Sequence, residues 1–548
     1  MKPPHLTCAT ARCLAILICL ILLGGCGAKE TLRPATDFSV KDAQMVSDPG
    51  PAPTPSQTET PPLPAEPPRP ESPARLTLFE AIGEALKKNQ KIQVSSYNPR
   101  QAAQDLKGAE AVYDSSIFSS GNIGRVKRPT NSLLDTGTLK EDLLIEKRRF
   151  LQTGAKKLLP SGATVSVYQE MDSLDSNSLY VIPNPQGTSR LVMELSQPLL
   201  KGFWDTSNRA VITIAKLNVD MSNEEFRQTV MDVLTEVVKT YWQLVMEREF
   251  EFIARQDVEM AEEVYRRESV RLERGISTKL DADRALAAAE MRRSDLLRAQ
   301  TRIKMISDQL KLLLNLPEGV PEIIPLSKPQ MKPQKVDIGE ALAKALKNRP
   351  ELQRAQKAVG VSKARKDLAA HNRLPKLNAV LRMTKNGLGV SPGRAIDTVY
   401  NENNNSWLTA LEFEYPLGNQ AAQAEYTKRS LEYDQSATEV GRVKTQITNE
   451  VSLAIREIDL ALKEIPSTLQ AKTASERVVA SEMARFELGQ KSNEELLRAQ
   501  DQLAAAAREF ARSVINYNSS LTTLSRAEGT IIRELGIEIK EKATEFLP

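Results

Sequence analysis

Apolar side chains along this chain fall into two rhythms. Val230, Val233, Leu234, Val237, Val238, Tyr241 and Val245 step by three and four, as do Ile447, Val451, Ala454, Ile455 and Ile458. That spacing lays one buried stripe along a helix. No proline interrupts 206–273, so the pattern predicts a helix of roughly 65 residues, about 100 Å long at ~1.5 Å per residue. Such a length does not suit an ordinary globule and predicts a coiled coil or a barrel of helices. The second rhythm is two. Trp407, Thr409, Leu411, Phe413 and Tyr415 alternate with Leu408, Ala410, Glu412 and Glu414, and Leu377, Ala379, Leu381 and Met383 alternate with Asn378, Val380, Arg382 and Thr384. Each run is near the ~9–11 residues of a membrane-crossing strand, with an apolar face for lipid and a polar face for a lumen. A half-buried strand of a soluble sheet alternates in the same way, but its placement between very long helices favours the membrane. The Gly- and Asn-rich stretch 386–405 is expected to be an exposed loop.

The two rhythms occur twice. Glu80, Ala81, Ala85, Leu86 and Lys87 return without a gap as Glu340, Ala341, Ala345, Leu346 and Lys347, and Ile82 and Ile92 return as Leu342 and Leu352. Each copy leads through strand-like sequence to a Pro-Leu step, Gln197-Pro198-Leu199 and Tyr415-Pro416-Leu417, and then to long helices. Each helical stretch is broken once, at Arg274-Gly275-Ile276-Ser277 and at Leu488-Gly489-Gln490-Lys491-Ser492. The body therefore divides into a first repeat, 74–317, and a second, 336–548, joined by a linker, 318–335, that carries Pro321, Pro325, Pro329 and Pro333. The first repeat holds more strand-like sequence than the second, at 116–126, 163–169 and 191–199. Helices that rise and return require an even number of crossings, and the part played by 127–160 stays open.

The N-terminus is a processing signal. Lys2 and Arg12 precede an apolar run from Cys13 to Leu23, too short for the roughly 20 residues of a spanning helix and suited to the core of a signal peptide. It ends Leu23-Gly24-Gly25-Cys26, which resembles a lipobox, in which Cys26 is lipid-modified and becomes the new N-terminus. A plain secretory signal with a chance cysteine is the simpler alternative. Residue 27 is Gly, not the Asp that retains such proteins at an inner membrane. Residues 1–25 are thus expected to be a signal peptide, and 26–73, dense in proline, an unstructured lipid-anchored spacer.

Composition narrows the chemistry. All four cysteines lie in the first 26 residues, and His371 is the only histidine besides His5. The body therefore offers no disulfide framework, no cysteine metal site and no Cys/His or Ser/His catalytic set, and no phosphate loop or nucleophile elbow is present. No cofactor, no metal and no catalytic residue is expected. Lys plus Arg number 74 against 70 Asp plus Glu, which is no nucleic-acid footprint.

Taken in order and repeated twice, the Leu-Thr-Leu-Phe-Glu80-Ala81 start, the Pro-Leu step, the long helices and the Gly-Ser breaks resemble the TolC-like outer-membrane factor family over roughly 74–537. The resemblance implies a mainly α protein with membrane β. Three chains, four strands from each, would form a 12-stranded transmembrane barrel continued by a long periplasmic α-helical barrel. It implies a homotrimer in the outer membrane, in contact with its lipid, that serves as the passive exit duct of a tripartite efflux or type I secretion system and opens when an inner-membrane pump and its periplasmic adaptor dock. The family's Gly-Ser breaks are hairpin tips, which gives adaptor-contact roles to Arg274, Gly275, Ile276 and Ser277 and to Leu488, Gly489, Gln490, Lys491 and Ser492. Gly275 and Gly489 are equally readable as turn glycines. Acidic side chains beyond the second break form an entrance ring in the family. Glu494 and Glu495 fall there, with Asp281 and Asp283 the nearest acids of the first repeat, and Arg498 departs from the pattern by standing one turn from Glu495, where it could pair with it. Charges on such helices are more often a solvated face.

Two rivals remain at this point. A periplasmic lipoprotein adaptor or helical scaffold shares the signal and the hairpins, but usually carries compact β-domains around one hairpin. A lipid-anchored enzyme lacks its chemistry in this sequence.

Overall fold

A computed structural model describes residues 37–40 and 74–540, apart from 139, 141, 204–207, 318, 489, 491 and 492. The chain divides into two compact units, one holding 101–220 and 357–438 and the other 33–100, 221–356 and 439–548. Cys26 lies outside the described residues.

The first unit is built on one antiparallel sheet of six strands: β1 (Ser116–Pro129), β2 (Leu143–Leu158), β3 (Thr164–Ser176), β4 (Gln186–Pro198), β5 (Lys376–Gly389) and β6 (Asn405–Glu414). Strand order follows the chain, β1-β2-β3-β4-β5-β6. The family pattern gives four strands per chain; the sheet here has two more. The open segment 127–160 supplies the end of β1 and all of β2, so the first repeat contributes four strands to the sheet, an even number as helices that rise and return require.

The sheet is held in a single register. Ile117 opposes Ala155, and Ala155, Val167, Met193, Met383 and Trp407 follow as successive partners across the strands. Strand side chains alternate between faces, so this apolar row lies on one face. The neighbouring row, Phe118, Gly154, Tyr168, Val192, Thr384 and Ser406, lies on the other. At Gly154 a Cβ would stand 2.3 Å from the Cβ of Tyr168. The bare glycine lets the rings of Phe118 and Tyr168 approach to 6.2 Å between centroids across β2.

The loop expected at 386–405 contains helix α7 (Pro392–Asn401), capped by the Ser391 hydroxyl, with Pro392 in its first turn and Ala395 and Val399 fully buried. It packs on glycines. A Cβ on Gly387 would meet the Ala395 carbonyl at 2.0 Å, and one on Gly187 the Ser391 carbonyl carbon at 2.3 Å. The glycine content thus serves helix–sheet contact rather than loop flexibility.

The second unit is helical and shows the repeat. Helix α1 (Leu78–Lys88) starts at a capping box between Thr77 and Glu80, and α5 (Ile338–Asn348) starts at Asp337, whose carboxylate accepts from the Glu340 N–H at 2.9 Å. These caps occupy equivalent repeat positions. Each short helix buries its alanines, Ala81 and Ala85 or Ala341 and Ala345, in a separate core. Helices α2 (Gln90–Glu110) and α6 (Pro350–His371) follow, and these two, like the long helices, have residues in both units. The long helices are α3 (Ala210–Glu273, 64 residues) and α8 (Gln420–Glu487, 68 residues), with return helices α4 (Lys279–Leu314) and α9 (Asn493–Glu528) of 36 residues each. The stripe Val230, Val233, Leu234, Val237, Val238 and Tyr241 lies in one core, and Ile447, Val451, Ala454, Ile455 and Ile458 in the other, as the spacing predicts.

The proline-spaced linker is strapped down. Ile324–Pro325 pairs in parallel with Arg75–Leu76. The buried Tyr241 hydroxyl donates to the Leu76 carbonyl and accepts from the N–H groups of Leu326 and Ser327. The Tyr517 hydroxyl donates to Lys332 O at 2.7 Å and accepts from Gln334 N–H, while Asn518 both donates to and accepts from the backbone of Gln330. The segment 26–73 departs from the unstructured expectation at Asp37–Val40, a strand paired antiparallel with Ile537–Lys540.

Candidate channel wall and hairpin tips

The strand face that carries Trp407, Leu411 and Phe413 also carries Ile117 and Ile123. These five side chains are 68–85% exposed. An apolar face so open is an aggregation hazard in water and fits a lipid boundary. The opposite face is laced with charges across the strands: Arg148–Asp172 at 2.8 Å, Arg190–Glu170 at 3.1 Å, Arg382–Glu194 at 2.6 Å and Lys376–Glu414 at 3.4 Å. Opposite charges paired on one sheet face contribute a few tenths of a kcal/mol to about 1 kcal/mol each. They leave that face wettable and locally neutral, which suits a lumen that passes cargo without gripping it.

The predicted break after α3 is a tight turn. Gly275 has φ of +71°, a left-handed conformation that other residues adopt at a cost. Its N–H bonds to Leu272 O at 2.9 Å, and the Ile276 N–H reaches back to Arg271 O at 2.8 Å, closing the helix C-terminus. Ile276 is exposed, whereas the Ser277 hydroxyl turns inward to the buried Glu268 carboxylate. Of the four residues assigned to this tip, Arg274, Gly275 and Ile276 are thus presented outward and Ser277 is tied to the helix. At the second break Leu488 is exposed, and the Gln490 N–H bonds to Arg485 O at 3.0 Å. Gly489, Lys491 and Ser492 lie outside the described residues.

The structure brings the two tips together. The buried Asn493 donates from its amide to the Asp281 carbonyl at 2.7 Å, and Arg284 lies 3.5 Å from Glu494. Behind them Val264, Ala285, Phe486 and Leu496 form a small core, and the Arg271 guanidinium sits 5.1 Å from the Phe486 ring centre. The expected acids differ in state. Asp281 is engaged by the N-cap of α4: the Thr278 hydroxyl donates to its carboxylate at 2.6 Å and accepts from its N–H. Arg498 pairs with Glu494 at 2.6 Å rather than with Glu495. Glu494 therefore faces two arginines. Glu495 and Asp283 are the more solvent-exposed of these acids.

Sequence reasoning missed the buried charges of the helical part, of which Asp257 and Arg349 bear most on stability. Asp257 on α3 is 7% exposed, and burial raises its pKa to about 6, with Arg292 and Arg508 opposing the shift. Arg349, between α5 and α6, is 3% exposed and bonded to Glu351 at 2.9 Å and Glu450 at 2.6 Å. The signal for Arg349 was a break in the repeat: its equivalent is Asn89.

A sheet with one lipid-suited and one wettable face, joined in one chain to two long helical hairpins, defines a class: channel proteins that combine a membrane β-barrel with an α-helical tunnel. The family described as outer membrane efflux protein matches residues 182–316 and 341–530. The chain belongs to that family, and with it to the TolC-like channels of the outer membrane. Among solved structures it is similar to the outer membrane protein VceC of Vibrio cholerae (14% identity, 82% of this chain and 96% of that one, TM-score 0.61). It is similar as well to the CmeC outer membrane channel of Campylobacter jejuni (16% identity, 84% and 89%, TM-score 0.60). The MtrE outer membrane channel of Neisseria gonorrhoeae, in its open state, matches at 16% identity over 85% and 91% of the two chains, TM-score 0.60. A comparison with curated protein sequences returned no match.

Proposed function

We propose that this chain is the outer-membrane exit duct of a tripartite efflux or type I secretion system, a homotrimer opened when an inner-membrane pump and its periplasmic adaptor engage the hairpin tips. The observation that carries this reading is the two-faced sheet: apolar along Ile117, Met193 and Trp407 and charge-paired along Arg148, Glu170 and Arg382. A periplasmic adaptor has no use for such a wall. The contact residues are Arg274, Gly275, Ile276 and Leu488, with Gln490 and with Gly489, Lys491 and Ser492 between α8 and α9. Ser277 supports the turn through Glu268. Glu495 and Asp283 supply the entrance charge. Cys26 is the lipid anchor, and 26–73 the tether.

The deciding experiment is imaging of detergent-extracted protein from outer-membrane fractions. A three-fold particle with a tunnel on the order of 100 Å long, as helix rise dictates, is expected. A soluble monomer, or a compact particle from the inner membrane, overturns the duct. The anchor is tested separately by labelling with radioactive palmitate, which is expected to enter the wild-type chain and not Cys26→Ser.

A further inference from the structure

The two strands beyond the family's four raise a question about the barrel seam. A trimeric barrel closes by pairing the first strand of one chain's sheet with the last strand of the next. If only four strands per chain formed the wall, β3 would be that first strand. Yet β3 is bonded on both sides, to β2 from Thr164 to Ser176 and to β4 from Thr164 to Leu174. A strand has two edges, and β3 has none left. The sheet's unpaired edges are those of β1 and β6.

We infer that β1 is the seam strand: its outer edge pairs with β6 of the neighbouring copy, so the hairpin β1–β2 belongs to the barrel wall and three chains close on eighteen strands. This rests on the duct reading above. Four features support it. All fourteen residues of β1 pair with β2 without a bulge, from Ser116↔Lys156 to Pro129↔Leu143, so β1 continues the sheet and is not a flap. Phe118 meets Tyr168 across Gly154, tying β1 to β3 on the lumen-suited face. The outward row that starts at Ile117 ends at Trp407, so the apolar band runs to both edges and would be continuous across a seam. Finally, six antiparallel strands leave β1 and β6 running in opposite directions, which gives antiparallel pairing between copies. Open N–H and C=O rows cannot be left in lipid, so the edge of β1 requires this partner.

The consequence is width. Barrel diameter grows roughly linearly with strand number, so this wall is about 1.5 times as wide as one of twelve strands. The helical part, with two hairpins per chain, gains no elements.

Cysteine crosslinking tests the seam against a clean background, because every native cysteine lies at or before Cys26. Thr409→Cys on β6 is combined in turn with cysteine at Ile117, Ser119, Gly121 and Ile123 on β1, and in a second series at Val165, Val167 and Gln169 on β3. All face outward. Oxidation of the membrane-embedded protein is expected to give covalent trimers at one or two adjacent positions of the β1 series and none of the β3 series. Trimers from the β3 series alone overturn the seam and leave the duct standing. A native monomer by mass, with no crosslink in either series, overturns both. Hydrogen exchange on the unmodified trimer is the second readout. Amides throughout β1 are expected to be protected, whereas fast exchange at every other residue of β1 marks an open edge and rejects the proposal.

Discussion

Arg349 donates to Glu450 at 2.6 Å from a position only 3% exposed, and its third arm reaches the Ala527 carbonyl near the end of α9. Its repeat mate Asn89 makes the matching contact in the first repeat, donating to Leu313 O at the end of α4 at 2.7 Å. Both residues thus close the C-terminus of a return helix, but only the second repeat does so with a charge. Burial opposes ionisation of Glu450, and bonds from Gln446 and Arg349 together with the Arg349 charge outweigh it, holding the carboxyl below its usual range. Removing one partner of a buried pair strands the other. Arg349→Met is expected to destabilise the protein by about 2–3 kcal/mol, at the low end for such pairs because Arg526 lies 3.7 Å from Glu450 and 3.8 Å from Glu351. The double variant with Glu450→Gln is expected to recover part of the loss. Thermal unfolding in detergent reads both, and an unchanged midpoint for Arg349→Met refutes the assignment.

Asp257 makes stability depend on pH. Its folded pKa of about 6 exceeds the ordinary 3.8, and burial is the cause. Between these values the unfolded chain has lost a proton that the folded chain keeps. Stability contributed by this group is therefore full below pH 3.8 and declines as pH rises to about 6, with no further change above. Asp257→Asn is expected to raise stability at pH 7 by on the order of 1–2 kcal/mol and to flatten the profile across that window. A steeper profile in the variant would count against this account.

Much of the fold was legible in the sequence, and the reason lies in periodicity. The stripe from Val230 to Tyr241 and the alternation from Leu377 to Met383 repeat one physical rule often enough to be read without a partner in view. Strand β2 was not legible. Its run Glu146-Lys147-Arg148-Arg149 sets charges on both faces, and only the sheet shows Arg148 and Lys147 answered by Asp172 and Asp175 on β3. Helix α7 was hidden in the same way, because Gly387 and Gly389 read as loop formers until Ala395 is seen against them. At the tips, the spacing placed the turn at Gly275 but could not assign partners. Arg498 is three residues from Glu495 and four from Glu494, both within helical reach, and the structure selects Glu494.

That selection predicts the ion preference of the entrance. Glu494 is held between Arg498 at 2.6 Å and Arg284 at 3.5 Å, so its charge is largely answered in place. Arg498→Gln removes the nearer of these two cations, leaving Arg284 alone beside Glu494, and is expected to raise cation preference, with the reversal potential in a salt gradient moving toward the cation limit. Glu495→Gln is expected to move it the other way. Single-channel recording measures both. If Glu495→Gln leaves selectivity unchanged, the entrance ring is not formed by this residue.

The last prediction separates the two roles of Gly275. Its φ of +71° demands a residue that tolerates the left-handed region, while a Cβ built there meets nothing within 4 Å. Strain and contact can therefore be varied apart. Asn enters the left-handed region more easily than Ala. Gly275→Ala is expected to cost about 1 kcal/mol of stability, and Gly275→Asn less. Both place atoms on the outward side of the turn, so both should weaken adaptor binding if the bare backbone is the contact, with Asn the stronger because it is larger. Surface plasmon resonance with the cognate adaptor gives the order. If affinity follows stability, with Ala the worse of the two, Gly275 is a turn former alone and the contact lies with Arg274 and Ile276. If affinity follows size, the close approach of a partner hairpin to Gly275 is established.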